Sequence, residues 1–292
     1  MTARTRYTSS DEDSARWDGF PFRDGDIVIS TRSKSGTTWM QMICALLVFG
    51  TPDLPRPLPV LSPWVDHAIR PVADVIADLE AQRHRRFVKT HTPLDGIPLD
   101  DRATYVVVAR HPLDMAVSLY HQSENIDRER LAELTGVPVT PRPPRPSLHD
   151  WLVSWVSTET TPGEQLDSLV GVLHHLSDAW ARRDEPNVLL VHYDDLLADL
   201  SGEMHRVADG LGVEVADDVW PSLVEAATFA TMRSRSDELT PNTMGVLKQS
   251  SVFFREGRSG AGREVLTPDE LASYEQRAST LAPAGLLEWL HR

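Results

Sequence analysis

Residues 26–49 read DIVISTRSKSGTTWMQMICALLVF, and this stretch decides the fold. An apolar run, Ile27-Val28-Ile29, leads through a small, cationic, glycine-containing turn from Ser30 to Thr38 into a segment where Trp39, Ile43, Leu46 and Leu47 recur at three-to-four-residue spacing. The pattern predicts strand, loop and helix, with the helix starting at Gly36 or Thr37 and burying one face. The first N–H groups of such a helix lack intrahelical partners and lie at the positive end of its dipole. Together with two hydroxyls and the ammonium of Lys34, they predict a site for a phosphate- or sulfate-type anion.

In the nucleoside triphosphate loop, G-x-x-x-x-G-K-[ST], lysine follows the second glycine; here it stands two residues before Gly36. The arrangement S-T-x-x-K-S-G-T-T-W resembles the 5′-phosphosulfate-binding loop of the cytosolic-type sulfotransferases, which use 3′-phosphoadenosine 5′-phosphosulfate (PAPS). The resemblance implies that Lys34, Ser35, Gly36, Thr37, Thr38 and Trp39 contact the cofactor.

A chain of 292 residues with 41% apolar content suits a single large α/β domain. No run approaches the length of a membrane span, and the N-terminus has no apolar signal core, so a cytoplasmic protein is expected. One cysteine, Cys44, rules out an intramolecular disulfide framework. A net charge of -14 argues against nucleic-acid binding. An acidic protein that binds a polyanion must gather its basic residues locally, so Lys34, Lys89, Arg110 and Arg255 are expected to converge. Residues 1–16 read as a polar, poorly ordered tail, and 17–292 as the domain.

Further along, the aromatics Trp17, Phe20 and Phe22 precede the first strand and are candidates either for the core or for an acceptor pocket; Trp64 and His67 are pocket candidates too. The proline-rich stretch 51–63 reads as loop. A second strand is predicted over 86–90, ending at Lys89-Thr90-His91-Thr92-Pro93. Ligands of open α/β sheets bind beyond the carboxyl ends of the strands, where His91 then lies. Its K-T-H-x-P context resembles the family segment that carries the catalytic base. The continuous β-branched run 104–109, TYVVVA, predicts a central parallel strand. It runs into Arg110-His111-Pro112-Leu113-Asp114 and a helix with Ser118 one to two turns in; Arg110 and Ser118 resemble the family's 3′-phosphate-binding pair.

A second proline-rich stretch, 137–146, cannot be regular structure and is expected to pass over the active-site mouth, with Arg142 and Arg145 offering a preference for acidic acceptors. Helices are predicted over 148–156, 165–183, 201–211 and 220–232, and a buried strand over 188–191. Tyr193, following that strand, fits the family's nucleotide-contacting tyrosine. Thr228, Phe229 and Met232 resemble its adenine-contacting segment. The glycine-rich stretch 253–263 resembles the family's R-K-G-x-x-G-D-W-K clamp on the 3′-phosphate, matching at Arg255, Gly257, Gly260 and, conservatively, Arg263. Glu256 stands where lysine is usual, Ala261-Gly262 where Asp-Trp is usual, and Arg32-Ser33 where an aromatic-proline pair is usual. The dimer motif of animal members is only partly echoed, which leaves the oligomeric state open.

The resemblance implies sulfuryl transfer from PAPS to a hydroxyl or amine of a small, apolar or aromatic acceptor, without a metal. His91 would serve as base, while Lys34 and Lys89 would stabilise charge around the sulfuryl group. Two other readings stay open on the sequence alone. Asp194-Asp195 after an apolar strand resembles the magnesium-holding segment of P-loop phosphotransferases that use ATP, and the departures around Glu256 leave room for a noncatalytic nucleotide-binding relative.

Overall fold

The computed structural model describes residues 4–141 and 143–292. Four strands, β1 (Ile27–Ser30), β2 (Phe87–Thr90), β3 (Thr104–Ala109) and β4 (Val188–His192), form one sheet in the order β2-β1-β3-β4, and every pairing is parallel. The chain leaves β1 first to one side and later to the other, which places a topological switch point beyond the carboxyl ends of β1 and β3.

Alternation along the strands divides the core into two layers. Val28, Val88, Tyr105, Val107 and Ala109 face one cluster with the helices Pro112–Asn125, Leu148–Ser157, Leu169–Ala181 and Pro268–Leu281. Ile27, Ile29, Phe87, Val106, Val108 and Val191 face the other, against helix α1 (Thr37–Phe49) and the Leu200–Leu211 helix. The spacing in α1 predicts one buried face, yet every residue from Thr37 to Leu47 is buried. The helix is enclosed by the sheet on one side and by the Trp220–Ala226 helix and its neighbours on the other. Each large aliphatic side chain so enclosed contributes about 1.5–3 kcal/mol relative to exposure.

Several expectations need correction. The 220–232 segment is two helices, Trp220–Ala226 and Phe229–Ser234, because the Thr228 hydroxyl caps the second by accepting the Thr231 N–H. The 51–63 stretch contains a short helix, Leu58–Leu61, with proline in its first turn, where a missing N–H costs nothing. Residues 4–16 are not a loose tail. Tyr7 and Ser14 are buried and bonded to each other through backbone and hydroxyl, and Thr8 pairs with Asp13 in an antiparallel bridge. The resulting tight turn docks on 66–68, where Asp13 N–H donates to the Asp66 carbonyl and Ala68 N–H to the Asp11 carbonyl.

Phe20 and Phe22 are core residues and do not line an acceptor pocket. They precede β1 and so lie at the amino end of a parallel sheet, opposite the ligand end, packed with Trp17 at ring distances of 4.8 and 6.3 Å. The Arg86 guanidinium lies over the Phe20 ring and pairs with the buried Asp26 carboxylate.

The 137–146 stretch is irregular, as its prolines require. It does not cover the cleft: none of its described residues lines it. Arg145 lies 3.6 Å over the Tyr120 ring and donates to the Tyr120 carbonyl; Arg142 lies outside the described residues. No helix among the described residues is long and apolar enough to cross a membrane.

Candidate active site

At the carboxyl edge of the sheet the strand ends and the segments after them enclose a cleft of about 870 Å³. The β1–α1 loop forms its floor. Gly36 caps α1 with φ of 104°, and a Cβ there would stand 3.0 Å from the Tyr193 ring, so the residue is glycine for both backbone and contact reasons. Lys34 has φ of 63°, the only positive value among the described non-glycine residues. This conformation, which costs about 1–3 kcal/mol, presents the Lys34 carbonyl to Arg110 Nη1 at 3.1 Å. The N–H groups of Gly36, Thr37 and Thr38 bond to no described residue, so the helix terminus is open to an anion.

The four basic residues expected to converge do so: Lys34, Lys89, Arg110 and Arg255 all line this cleft. Lys34 Nζ lies 3.8 Å over the Phe253 ring and 3.3 Å from Gln122 Oε1. Burial, then the charges of Arg110, Arg255 and Lys89, pull its pKa down to about 7. Lys89 is buried with its ammonium 4.3 Å over the Trp64 ring, and burial lowers it to about 8 against the pull of Glu12 and Asp66. Arg110 stacks 4.3 Å over Tyr193, and its Nη2 donates to the Arg258 carbonyl.

His91 follows β2 and is buried with its ring edge-on to Trp64. Nδ1 lies 2.5 Å from the Thr31 carbonyl, which can only accept, so Nδ1 carries the proton. Nε2 bonds to no described residue and keeps its lone pair. Burial, with Lys89 and Arg32 adding like charge, holds the imidazole well below its usual range and therefore neutral.

The remaining candidates fall in place around this pair. Trp39 Nε1 donates to the Ala227 carbonyl at 2.8 Å and its ring meets Tyr193 edge-on at 5.2 Å. Tyr193, Phe229 and Met232 form an aromatic and apolar wall, and Ser118 lines the cleft beside Arg110. Thr228 supports the wall as a helix cap and does not line the cleft; nor does Ser35, a buried member of the loop. Gly257, with φ of 63°, lies so close to Phe229 that a Cβ would overlap the ring. Trp64 and His67 do line the cleft, stacked 4.2 Å apart.

Sequence reasoning missed the residues that hold these in position. Arg32, noted only as a departure, is buried; it donates to the His91 carbonyl and, at 2.6 Å, to Asp167. Asp66 is buried between Thr90 and Thr92 and accepts from both hydroxyls, fixing the backbone on either side of His91. Asp114 accepts from Gly260 and Gly262 N–H at 2.8 and 2.7 Å, fastening the glycine-rich segment to the Pro112–Asn125 helix. A Cβ at Gly262 would overlap Leu113, so the usual tryptophan has no room here. Glu256 pairs with both Arg255 and Arg258. The adjacent acids that suggested a magnesium site are engaged elsewhere, Asp194 with Ser259 and Asp195 with Arg292, and neither lines the cleft.

The model of the sulfotransferase domain family matches residues 24–280. The chain belongs to the sulfotransferase family. It is 44% identical to the glycolipid sulfotransferase of Mycobacterium bovis, an alignment spanning 100% of this chain and 95% of that one. Identity to human sulfotransferase 2B1 is 27%, over 87% of this chain and 65% of that one. Retinol dehydratase, solved with retinol and PAP (the desulfated nucleotide), superposes with a TM-score of 0.70 at 22% identity, covering 91% of this chain and 84% of that one. Mouse sulfotransferase SULT7A1, solved with PAP, superposes with a TM-score of 0.66 at 18% identity, covering 91% and 88%. These two likenesses establish the sulfotransferase fold.

Proposed function

We propose that this sulfotransferase moves a sulfuryl group from PAPS to a hydroxyl of a glycolipid-like acceptor, in the cytoplasm. The observation that carries the proposal is a neutral imidazole with a free Nε2, His91, in the same cleft as an open helix N-terminus and the cationic side chains of Lys34, Lys89, Arg110 and Arg255. The residues present suit the donor: N–H groups of the β1–α1 loop and Lys34 for the phosphosulfate, Arg110, Ser118 and Arg255 for the 3′-phosphate, and the Trp39, Tyr193 and Phe229 wall for adenine. When bound, PAPS supplies an electrophilic sulfur with a phosphate leaving group. His91 Nε2 would take the proton of the acceptor hydroxyl, freeing its oxygen to attack the donor sulfur with the nucleotide phosphate as leaving group. Lys34 would offset charge on the leaving phosphate, and Lys89 with the loop N–H groups would offset it on the sulfuryl group; such a contact contributes on the order of 3 kcal/mol. The acceptor class follows from the name of the 44% relative and from the apolar arm of the cleft, where Leu119, Ile126, Leu131, Met244 and Leu247 suit an alkyl chain.

Calorimetric titration with PAP, against ATP and magnesium, tests the donor without requiring an acceptor. Tight PAP binding with little for ATP is expected; preference for ATP and magnesium would sink the proposal.

A further inference from the structure

The turn formed by residues 7–14 forms one wall of the cleft: residues 7–12 line it together with His67, Lys89 and His91. Its acids are not equivalent. Asp13 is bonded to Arg6 and to the Ala15 N–H, and Asp11 to the hydroxyls of Ser9 and Ser10. Glu12 has its backbone fixed on both sides, its N–H donating to Ser9 Oγ and its carbonyl accepting from Ser9 N–H, and it pairs with His67 in an antiparallel bridge. Its carboxyl group, however, bonds to no described residue. Of the cations coupled to it by charge, Arg32 has its guanidinium engaged by the His91 carbonyl and Asp167, and Lys89 lies over the Trp64 ring.

We propose that Glu12 is the residue of this wall that selects the acceptor, hydrogen-bonding a second hydroxyl of a polyhydroxylated, glycoside-like molecule whose first hydroxyl faces His91. The inference rests on the acceptor reading given above and assigns it a residue. A part-buried carboxyl group without a protein partner loses part of its hydration and regains hydrogen bonds when a ligand satisfies it. Burial raises its pKa to about 8, with Asp66, Asp167 and Asp11 adding to the rise and Arg32 opposing it. Near neutral pH it is therefore mostly the acid, which offers both a donor and an acceptor to a sugar hydroxyl. A phenol or simple alcohol presents no second hydroxyl and gains nothing from it. The cleft fits the same ligand, since Ser9, Ser10 and Gln165 line it as well as the apolar residues named above.

The test compares n-octyl β-glucoside below its micelle concentration with 1-octanol, which shares the alkyl chain and has one hydroxyl. Both are titrated calorimetrically into the protein, with PAP bound and without nucleotide. The wild type is expected to prefer the glucoside by about tenfold or more, Glu12→Ala to lose most of that preference, and Glu12→Gln to keep part of it. Octanol binding should not move, and the unfolding temperature should hold or rise, because the carboxyl group bonds to no described residue and its burial costs hydration. Unchanged discrimination in Glu12→Ala overturns the proposal, as does equal weakening of both ligands, which would make Glu12 structural. If Glu12→Ala fails to fold, Glu12→Gln decides by the same criterion. A failure of the donor reading shows separately, as absence of PAP binding, and leaves the nucleotide-free comparison to decide Glu12.

Discussion

His91 suits the part of a base because its surroundings disfavour its charged form. Burial dominates, and Lys89 and Arg32 add like charge. A base must be neutral to act, so activity should hold as pH falls past 6.5, the ordinary imidazole value, and drop only through this lowered pKa. The alkaline side belongs to the lysines. Lys34, drawn down to about 7, and Lys89, to about 8, carry their charge below those values and lose it above them in the free protein. Affinity for PAP should therefore weaken between pH 7 and 9, by at most about tenfold per pH unit for each lysine that must be reprotonated. Calorimetry across that range checks it, and a flat affinity would mean that neither ammonium meets the nucleotide. His91→Ala should lower turnover by about 10²–10⁴-fold while PAP still binds; unchanged turnover would remove His91 from the mechanism. His91, Lys34 and Arg110 were legible in the sequence because each follows a recognisable strand at the sheet's ligand end. Arg32, Asp66 and Glu12 were not, because their partners are 59, 24 and 55 residues away in sequence, a distance that no local pattern encodes.

At the scale of elements, the strands and α1 follow directly from apolar runs whose length and branching suit a buried parallel sheet. The N-terminal turn escaped because its composition is polar, and what orders it is tertiary: the bonds of Asp11 and Asp13 to 66–68 and the burial of Tyr7 and Trp17. The glycine-rich segment was legible as a loop that reaches the cleft but not in its fastening, which depends on Asp114 and on the closeness of Gly262 to Leu113. Within it Glu256 acts as an internal counter-ion, holding Arg255 and Arg258 where a ligand phosphate would compete. These pairs are a quarter to a half exposed and so worth no more than about 1 kcal/mol each. Glu256→Gln should accordingly tighten PAP binding by up to about fivefold, read as Kd by calorimetry at fixed salt. Weaker binding would instead assign Glu256 a part in holding the nucleotide.

The whole molecule separates ligand chemistry from stability along the strand direction. Its net charge is -14, yet six cations, Arg32, Lys34, Arg70, Lys89, Arg110 and Arg255, line one cleft at the carboxyl end of the sheet. At the amino end lies a different electrostatic feature. Arg86 donates to both oxygens of Asp26 and to the Pro21 carbonyl, and both partners are almost fully buried. Asp26 also accepts the Arg23 N–H, so the pair joins the approach to β1 to the start of β2. Removing one member leaves the other charge buried and uncompensated, which costs about 3–5 kcal/mol. Arg86→Ala should therefore unfold at markedly lower denaturant, while the protein that remains folded binds PAP with wild-type affinity, since no atom of the pair reaches the cleft. Replacing both partners by apolar residues of similar size should recover part of the stability, because the uncompensated charge is then gone. Weakened PAP affinity in folded Arg86→Ala would show instead that the amino end of the sheet sets the geometry of the β1–α1 loop, one strand length away.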